Sequence, residues 1–233
     1  MFNRKKKQST NQVNSPGLVT ILNPKSIVAE QFRMVRTNLE FSIVDKDLKS
    51  FLVTSLAPSS GKSTISANLA TTFAAQGKKV LLVDTDMRKP TIHKIFKLRN
   101  NEGLSTLITS KEAMTSDYIE KIDVENMFIL TSGPTPPNPA ELISSKRMEQ
   151  LIDEMEQIFD LVIFDTPPVL AVADSQIMAG KVDGTLFVLR KGVDRKEQII
   201  TAKERMDSVN ANVLGAIYNR IEPTDASYYY EYI

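Results

Sequence analysis

The sequence predicts an α/β fold, a parallel β-sheet flanked by helices on both faces. Three observations predict it. Short apolar runs recur along the chain: Lys79 to Asp84, Leu161 to Asp165, Thr185 to Leu189 and Val213 to Tyr218. Each is too short for a helix and nearly continuous, as in a strand buried on both faces. Segments with helical periodicity separate the runs, which is the alternation of a parallel sheet. And 233 residues, 42% of them hydrophobic, suit one sizeable domain where two would be cramped.

Taken in order, residues 1–23 are polar and Asn/Ser/Gln-rich, and predict a mobile arm. Its basic tetrad (Arg4, Lys5, Lys6, Lys7) is either a solvated tail or a contact with an anionic membrane surface, where each charge adds roughly 1 kcal/mol. A single domain is expected over 24–220. From Ser26 a helix is predicted, with Val28, Phe32, Val35 and Leu39 as its apolar stripe. Glu30, Arg33 and Arg36 lie off that stripe. They fit intrahelical pairs or one half of a charged subunit contact. Ser50 to Thr54 predicts a strand and Ile65 to Gln76 a helix. Thr91 to Leu98 and Ser105 to Thr109 predict short helical pieces, and Met127 to Leu130 a strand. Four prolines between Thr131 and Pro139 predict a rigid irregular loop. Ala140 to Phe159 predicts one helix, its apolar face formed by Leu142, Met148, Leu151, Ile152, Met155 and Ile158. Arg195 to Val209 predicts an amphipathic helix. Residues 221–233 predict a flexible tail holding Tyr228, Tyr229, Tyr230 and Tyr232, four of the six tyrosines. Disordered segments are usually poor in aromatics, so this concentration points to use.

Composition excludes several classes. A net charge of +1 creates no global field for nucleic acid. The absence of cysteine excludes disulfides, Fe–S clusters and Cys-zinc sites. The single histidine, His93, excludes multi-His metal sites and reads as a surface or packing residue. No apolar run approaches the roughly 18–20 residues needed to span a bilayer, and the basic N-terminus has no apolar segment behind it. A cytoplasmic protein is expected.

The informative stretch is Ser50 to Thr64. A strand, a short loop with Pro58, then Gly61-Lys62-Ser63-Thr64 and a helix is the arrangement of a phosphate-binding loop, and so of a P-loop NTPase-like sheet. Backbone N–H groups from Ser59, Ser60 and Gly61 onward, with the positive helix end, can surround a polyphosphate, while Pro58 shapes the turn. Lys62 can reach the outer phosphates and Ser63 can ligate Mg²⁺. The strict pattern has Gly where this chain has Leu56. Two more strands end in acid at the same sheet edge, Asp84 with Asp86 and then Asp165, where open parallel sheets bind ligands. The set fits an ATP–Mg²⁺ site. Ser63, Asp86 and Asp165 are the candidate metal ligands. Asp84 or Asp86 is the candidate base, with Lys62 the third catalytic candidate. Arg88 beside the acids is either a surface charge or a phosphate contact. Asn219 is either a strand-end cap or an adenine contact, as in related ATPases. These residues alone say NTP hydrolysis or phosphoryl transfer and do not choose.

Four blocks carry a resemblance: Ser55-Leu-Ala-Pro-Ser-Ser-Gly-Lys-Ser-Thr64, Leu-Leu-Val-Asp-Thr-Asp-Met-Arg-Lys-Pro90, Ser-Gly-Pro-Thr-Pro-Pro-Asn-Pro-Ala-Glu-Leu142 and Val-Ile-Phe-Asp-Thr-Pro-Pro168. In order and spacing the chain resembles the bacterial tyrosine kinases of the Gram-positive capsular type. That family is related to the partition and division-site ATPases. The resemblance runs from about Lys25 to the tail. It implies ATP and Mg²⁺ as cofactors, and Glu30, Arg33 and Arg36 as the family's Glu-x-x-Arg-x-x-Arg ring-assembly motif. It implies Tyr228, Tyr229, Tyr230 and Tyr232 as autophosphorylation sites served by a neighbouring subunit. It also implies a membrane-protein activator with a cytoplasmic tail that recruits the kinase to the inner face of the membrane, protein substrates, a cognate phosphatase and a role in exopolysaccharide synthesis. From Arg220 to Tyr228 is eight residues, a reach of about 26–29 Å, enough for a neighbour's site and short for folding back.

Two departures stand out. The family commonly has Gly where this chain has Ser59, which would cost roughly 1 kcal/mol if φ must be positive. Partition-type ATPases carry a lysine where this chain has Ala57, so a nucleotide-driven sandwich dimer, the alternative reading, loses its signature residue. A non-catalytic scaffold is the third reading, motivated by the missing glycines.

Overall fold

The structure, a computed structural model, describes residues 15, 17–42, 48–110 and 114–220. The basic tetrad and the tyrosine cluster lie outside the described residues. Two helices, α1 (Val19–Leu22) and α2 (Ile27–Phe41), precede β1 (Ser50–Ser55), α3 (Lys62–Ala74), β2 (Val80–Asp84), α4 (Ile92–Ile95) and α5 (Leu104–Thr109). Then come α6 (Thr115–Tyr118), β3 (Glu120–Lys121), β4 (Met127–Leu130), α7 (Pro139–Ser144) and α8 (Lys146–Ile158). The last elements are β5 (Leu161–Asp165), α9 (Asp174–Ala179), β6 (Gly184–Arg190), α10 (Lys196–Asp207) and β7 (Val213–Asn219).

The strand order is β3-β4-β2-β5-β1-β6-β7, parallel throughout except for β3. This order sets the site. β5 lies between β1 and β2, with Asp165 in register with Val53 on one side and Asp84 on the other. Three chain ends with functional side chains therefore meet at one sheet edge.

The apolar runs are continuous because both faces are covered. Along β1, Phe51 and Val53 face a core with α2, α3 and α4, while Leu52 faces a second core with α5, α8 and α10. Val162 and Phe164 of β5 join the second core, and Leu161 and Ile163 the first. Each such side chain contributes roughly 1.5–3 kcal/mol by burial. α3 is buried on nearly every residue, between the sheet and the N-terminal helices. Its small residues, Ser66, Ala67, Ala70 and Ala74, permit this, which is why it lacks an amphipathic stripe.

Four sequence expectations need correction. The packed part begins before residue 24. Leu18 is wholly buried, and Asn68 of α3 accepts from Thr20 N–H (3.1 Å) and Oγ (2.8 Å) while donating to the Gly17 carbonyl (2.7 Å). The α2 stripe runs through Ala29, Phe32, Val35 and Leu39; Val28 is 47% exposed. The helix expected over 140–159 is two. Ser145 is extended (φ −68°, ψ 153°), and its Oγ accepts from Met148 N–H, capping α8. Ile158, at the end of α8, is exposed. The short elements α6, α9 and β3 carry no clear periodicity and are additions.

Candidate active site

The loop between β1 and α3 is built on left-handed residues. Ser59 has φ 61° and Gly61 φ 87°. Serine there costs roughly 1–2 kcal/mol in intrinsic preference, the strain foreseen for a side chain at a glycine position. Gly61 is required twice over, because a Cβ on it would lie 2.3 Å from Asn219 Nδ2. Leu56 is explained by its direction. It drops into the core and lines an apolar cleft of about 230 Å³ with Phe187, Leu189 and Ala202. The turn is closed by Ser60 Oγ and Ser55 Oγ, which donate to the Ala57 carbonyl at 2.6 and 2.9 Å. Helix α3 then starts at Lys62 with no side-chain cap, so its first N–H groups face the loop without a side-chain partner. Pro58, Ser59 and Thr64 are exposed at the rim, and Ser60 is buried.

Lys62 is buried and points into the acids. Its Nζ lies 3.2 Å from Asp165 Oδ2, 3.2 Å from Asp86 Oδ2 and 3.3 Å from Ser63 Oγ. Burial alone would lower its pKa, but Asp165, Asp86 and Asp84 together hold it above the ordinary lysine value. Asp165 is fully enclosed. Ser63 Oγ donates to its Oδ2 (2.6 Å) and Ser66 Oγ to its Oδ1 (3.0 Å). Burial nevertheless pushes the Asp165 carboxyl up, against the pull of Lys62, Ser63 and Ser66.

The two acids after β2 differ. Asp84 Oδ2 accepts the Thr91 and Ile92 N–H groups, both at 3.0 Å, and Oδ1 accepts Asp86 N–H at 3.2 Å. It holds the start of α4 in place. Burial, with the Asp165 charge adding, pushes it up to about 7, opposed by Ile92 N–H, Lys62 and Thr91 N–H. Asp86 accepts from Lys89 N–H with Oδ1 and turns Oδ2 to Lys62. The structure thus brings Lys62, Ser63, Asp86 and Asp165 together, with Asp84 behind them.

Two expected ligand contacts turn elsewhere. Arg88 makes a bidentate ion pair with Asp174 (2.9 and 3.1 Å), which is wholly buried at the start of α9, instead of facing the loop. Asn219 donates to the Ser60 carbonyl (2.9 Å) and accepts Arg220 N–H with Oδ1 (2.9 Å), so its amide ties the loop backbone to the end of its own strand. His93 is part-buried on α4, where burial and then Lys94 lower its pKa.

Ser66, Asp174 and Arg220 were missed by sequence reasoning. Ser66 had a signal: it lies three residues after Ser63, on the same helix face. Arg220 donates from Nη2 to the Ser59 carbonyl at 2.9 Å. The segment beyond it therefore begins beside its own phosphate loop. Tyr228 and the other tail tyrosines, on which the expectation about folding back rests, lie outside the described residues.

On α2, Arg33 pairs with Glu30 (2.7 Å) and Arg36 with Glu40 (3.8 Å), so the intrahelical reading describes the single chain. Ile27, Val28, Met34 and Phe41 are exposed on the same helix. No helix among the described residues is long and apolar enough to cross a membrane.

The AAA-domain family matches residues 57–186, the span from the phosphate loop into the start of β6. The tyrosine-protein kinase YwqD of Bacillus subtilis is 47% identical over 216 residues, covering 93% of this chain and 90% of that protein. The chain belongs to the bacterial tyrosine-kinase family. Among solved structures, the chimerical protein CapA2B2 superimposes with a TM-score of 0.84 at 41% identity, over 88% of this chain and 90% of that one. The septum site-determining protein MinD of Pyrococcus horikoshii, solved with Mg-ADP, gives 0.61 at 21% identity, over 76% and 75% of the chains. That likeness concerns the fold alone. Membership of this family implies ATP binding at the loop just described.

Proposed function

We propose that the protein is an ATP-dependent protein-tyrosine kinase that phosphorylates tyrosines 228, 229, 230 and 232 of a neighbouring copy. The observation that carries the reading is the set of buried Lys62, Asp86 and Asp165 with half-buried Ser63 at the mouth of the loop, without a lysine at Ala57. Mg²⁺ fits this donor set. Among the described residues no three or more Asp, Glu, His or Cys form a closed metal cage. Mg²⁺ does not need one, because it is held by one or two carboxylates, waters and substrate phosphates. Ser63 and Asp165 would hold it, with Asp86 reaching it through a water, and it would neutralise charge on the phosphate oxygens.

The remaining work belongs to the chain. The loop N–H groups and the α3 N-terminus bind the phosphates. Lys62 follows its counter-charge, from the carboxylates to the outer phosphates. Asp86, with one oxygen aimed into the site, accepts the tyrosine hydroxyl proton. Asp84, with both oxygens engaged by backbone, is a positioning residue.

Purified protein with ATP, Mg²⁺ and an activating peptide should place phosphate on the last six residues. Release of inorganic phosphate alone, with none on tyrosine, would count for the partition-type ATPase and against the kinase. Mixing a Lys62→Met chain bearing the tail with an active chain lacking it tests transfer between copies: no label on the former, under conditions where far-UV circular dichroism shows it folded, refutes exchange. Glu30, Arg33 and Arg36 are proposed to exchange intrahelical partners for a neighbour's groups in a ring, and a triple alanine variant with unchanged mass in solution would contradict this. An activator in the membrane, recruitment to its inner face, a cognate phosphatase and regulation of exopolysaccharide synthesis follow as proposals from the family.

A further inference from the structure

We propose that Asn219 and Arg220 form a clasp that keeps the phosphate loop in its anion-binding shape, and that Ser59 is what makes the clasp matter. Asn219 Nδ2 donates to the Ser60 carbonyl and Arg220 Nη2 to the Ser59 carbonyl, both at 2.9 Å. Asn219 Oδ1 accepts the backbone N–H of Arg220 at 2.9 Å, so the Asn219 side chain is tied to the backbone that carries Arg220, and the two residues act as one unit. The unit is anchored on β7, where Asn219 is in register with Arg190 of β6 and its carbonyl accepts Lys191 N–H at 3.3 Å.

The consequence follows from peptide geometry. In a planar trans peptide the C=O and the next residue's N–H point in opposite directions. Fixing the Ser59 and Ser60 carbonyls toward β7 therefore aims the N–H groups of Ser60 and Gly61 away from β7. A donor on each carbonyl also polarises those N–H groups. The clasp is needed because Ser59 sits at φ 61°, a conformation that L side chains disfavour and that the loop would otherwise leave. Gly61 completes the fit: with no Cβ, it leaves the space that the Asn219 amide fills. Both residues act through the loop, as positioning residues.

The effect on nucleotide rests on the ATP reading, whereas the effect on the loop does not. Four variants test it: Arg220→Ala, Arg220→Lys, Ser59→Gly and the double variant Arg220→Ala with Ser59→Gly. In nucleotide-free protein, Arg220→Ala should speed amide exchange at Ser60 and Gly61. It should raise the Kd of a fluorescent ATP analogue about fivefold, the net worth of one hydrogen bond. KM for ATP should rise alike, with kcat at saturating ATP unchanged. Arg220→Lys should recover part of the loss by keeping a donor. Ser59→Gly should recover it in the double variant, since glycine holds the positive φ unaided, and alone should leave amide exchange at Ser60 and Gly61 no faster than in the wild type. Wild-type exchange and Kd in Arg220→Ala would overturn the clasp. So would a deficit that Ser59→Gly leaves untouched, because ordinary loss of stability would not be repaired at that one residue. Failure of the wild-type chain to bind any nucleotide would sink the ATP reading, and loop exchange would still decide the clasp.

Discussion

Replacing Lys62 by Met should damage the fold before it damages chemistry, and the damage should depend on pH. Lys62 Nζ lies 3.2 Å from both Asp86 and Asp165. At an effective dielectric of about 20, each pair is worth about 5 kcal/mol before desolvation. Removing one partner of a buried pair typically costs about 3–5 kcal/mol. The acids can escape by protonating. Asp84 is pushed from its ordinary 3.8 up to about 7 by burial, and Asp165 is pushed up for the same reason. Between about pH 4 and pH 7 the folded state thus holds a proton on Asp84 that the unfolded state has released. Stability therefore falls as pH rises through that window, by up to about 4 kcal/mol for a shift of three units. Lys62 itself stays charged there, because its pKa is held above the ordinary value. Loss of its charge moves the acids further up. Urea unfolding in EDTA, followed by far-UV circular dichroism, should show a deficit of about 3–5 kcal/mol at pH 8, shrinking to about 1 kcal/mol at pH 5. Equal deficits at the two pH values, or none, would refute the reasoning.

Three further outcomes are expected. Asp86→Asn should lower kcat at least about 100-fold and, by taking one carboxylate from the buried Lys62, cost stability as well, whereas Asp84→Asn should cost about 1–3 kcal/mol of stability and leave kcat within about tenfold; the reverse pattern in kcat would exchange their roles. Arg88→Ala strands the buried Asp174 carboxylate and should destabilise by about 2 kcal/mol in thermal melts, an unchanged melt showing that the pair contributes nothing. Gly103→Ala would put a Cβ 2.2 Å from the Thr131 carbonyl and 2.4 Å from Gly133 N, both backbone, and should cost about 3 kcal/mol; a stable variant would mean the loop around Ser132 shifts freely.

Asp84, Asp86 and Asp165 are legible in the sequence because each follows a doubly buried strand, and such strands announce themselves as apolar runs. Lys62 and Ser63 are legible because phosphate binding needs a helix start with those groups. What is not legible depends on partners distant in sequence. Nothing near Asn219 says that its amide meets Ser60, 159 residues away. The turn of Arg88 toward Asp174 is set by the placement of α9, a helix of six residues with no strong period. The break at Ser145 is hidden because apolar spacing continues across it. Leu18 and Thr20 look like part of a polar arm until Asn68 of the buried α3 supplies their contacts.

The contact between Arg220 and the Ser59 carbonyl also bears on rate laws. If the proposed tail tyrosines are the substrate, a segment tethered at residue 220 would meet its own site at an effective concentration in the millimolar range, whatever the bulk dilution. Exchange of tails between copies has to compete with that. Free subunits at micromolar concentration cannot; a closed ring, which fixes each neighbour's tyrosines at a comparable local concentration, can. Assembly then works as a concentrator. Inside the proposed ring, tail phosphorylation would lose its dependence on dilution while remaining a reaction between two chains.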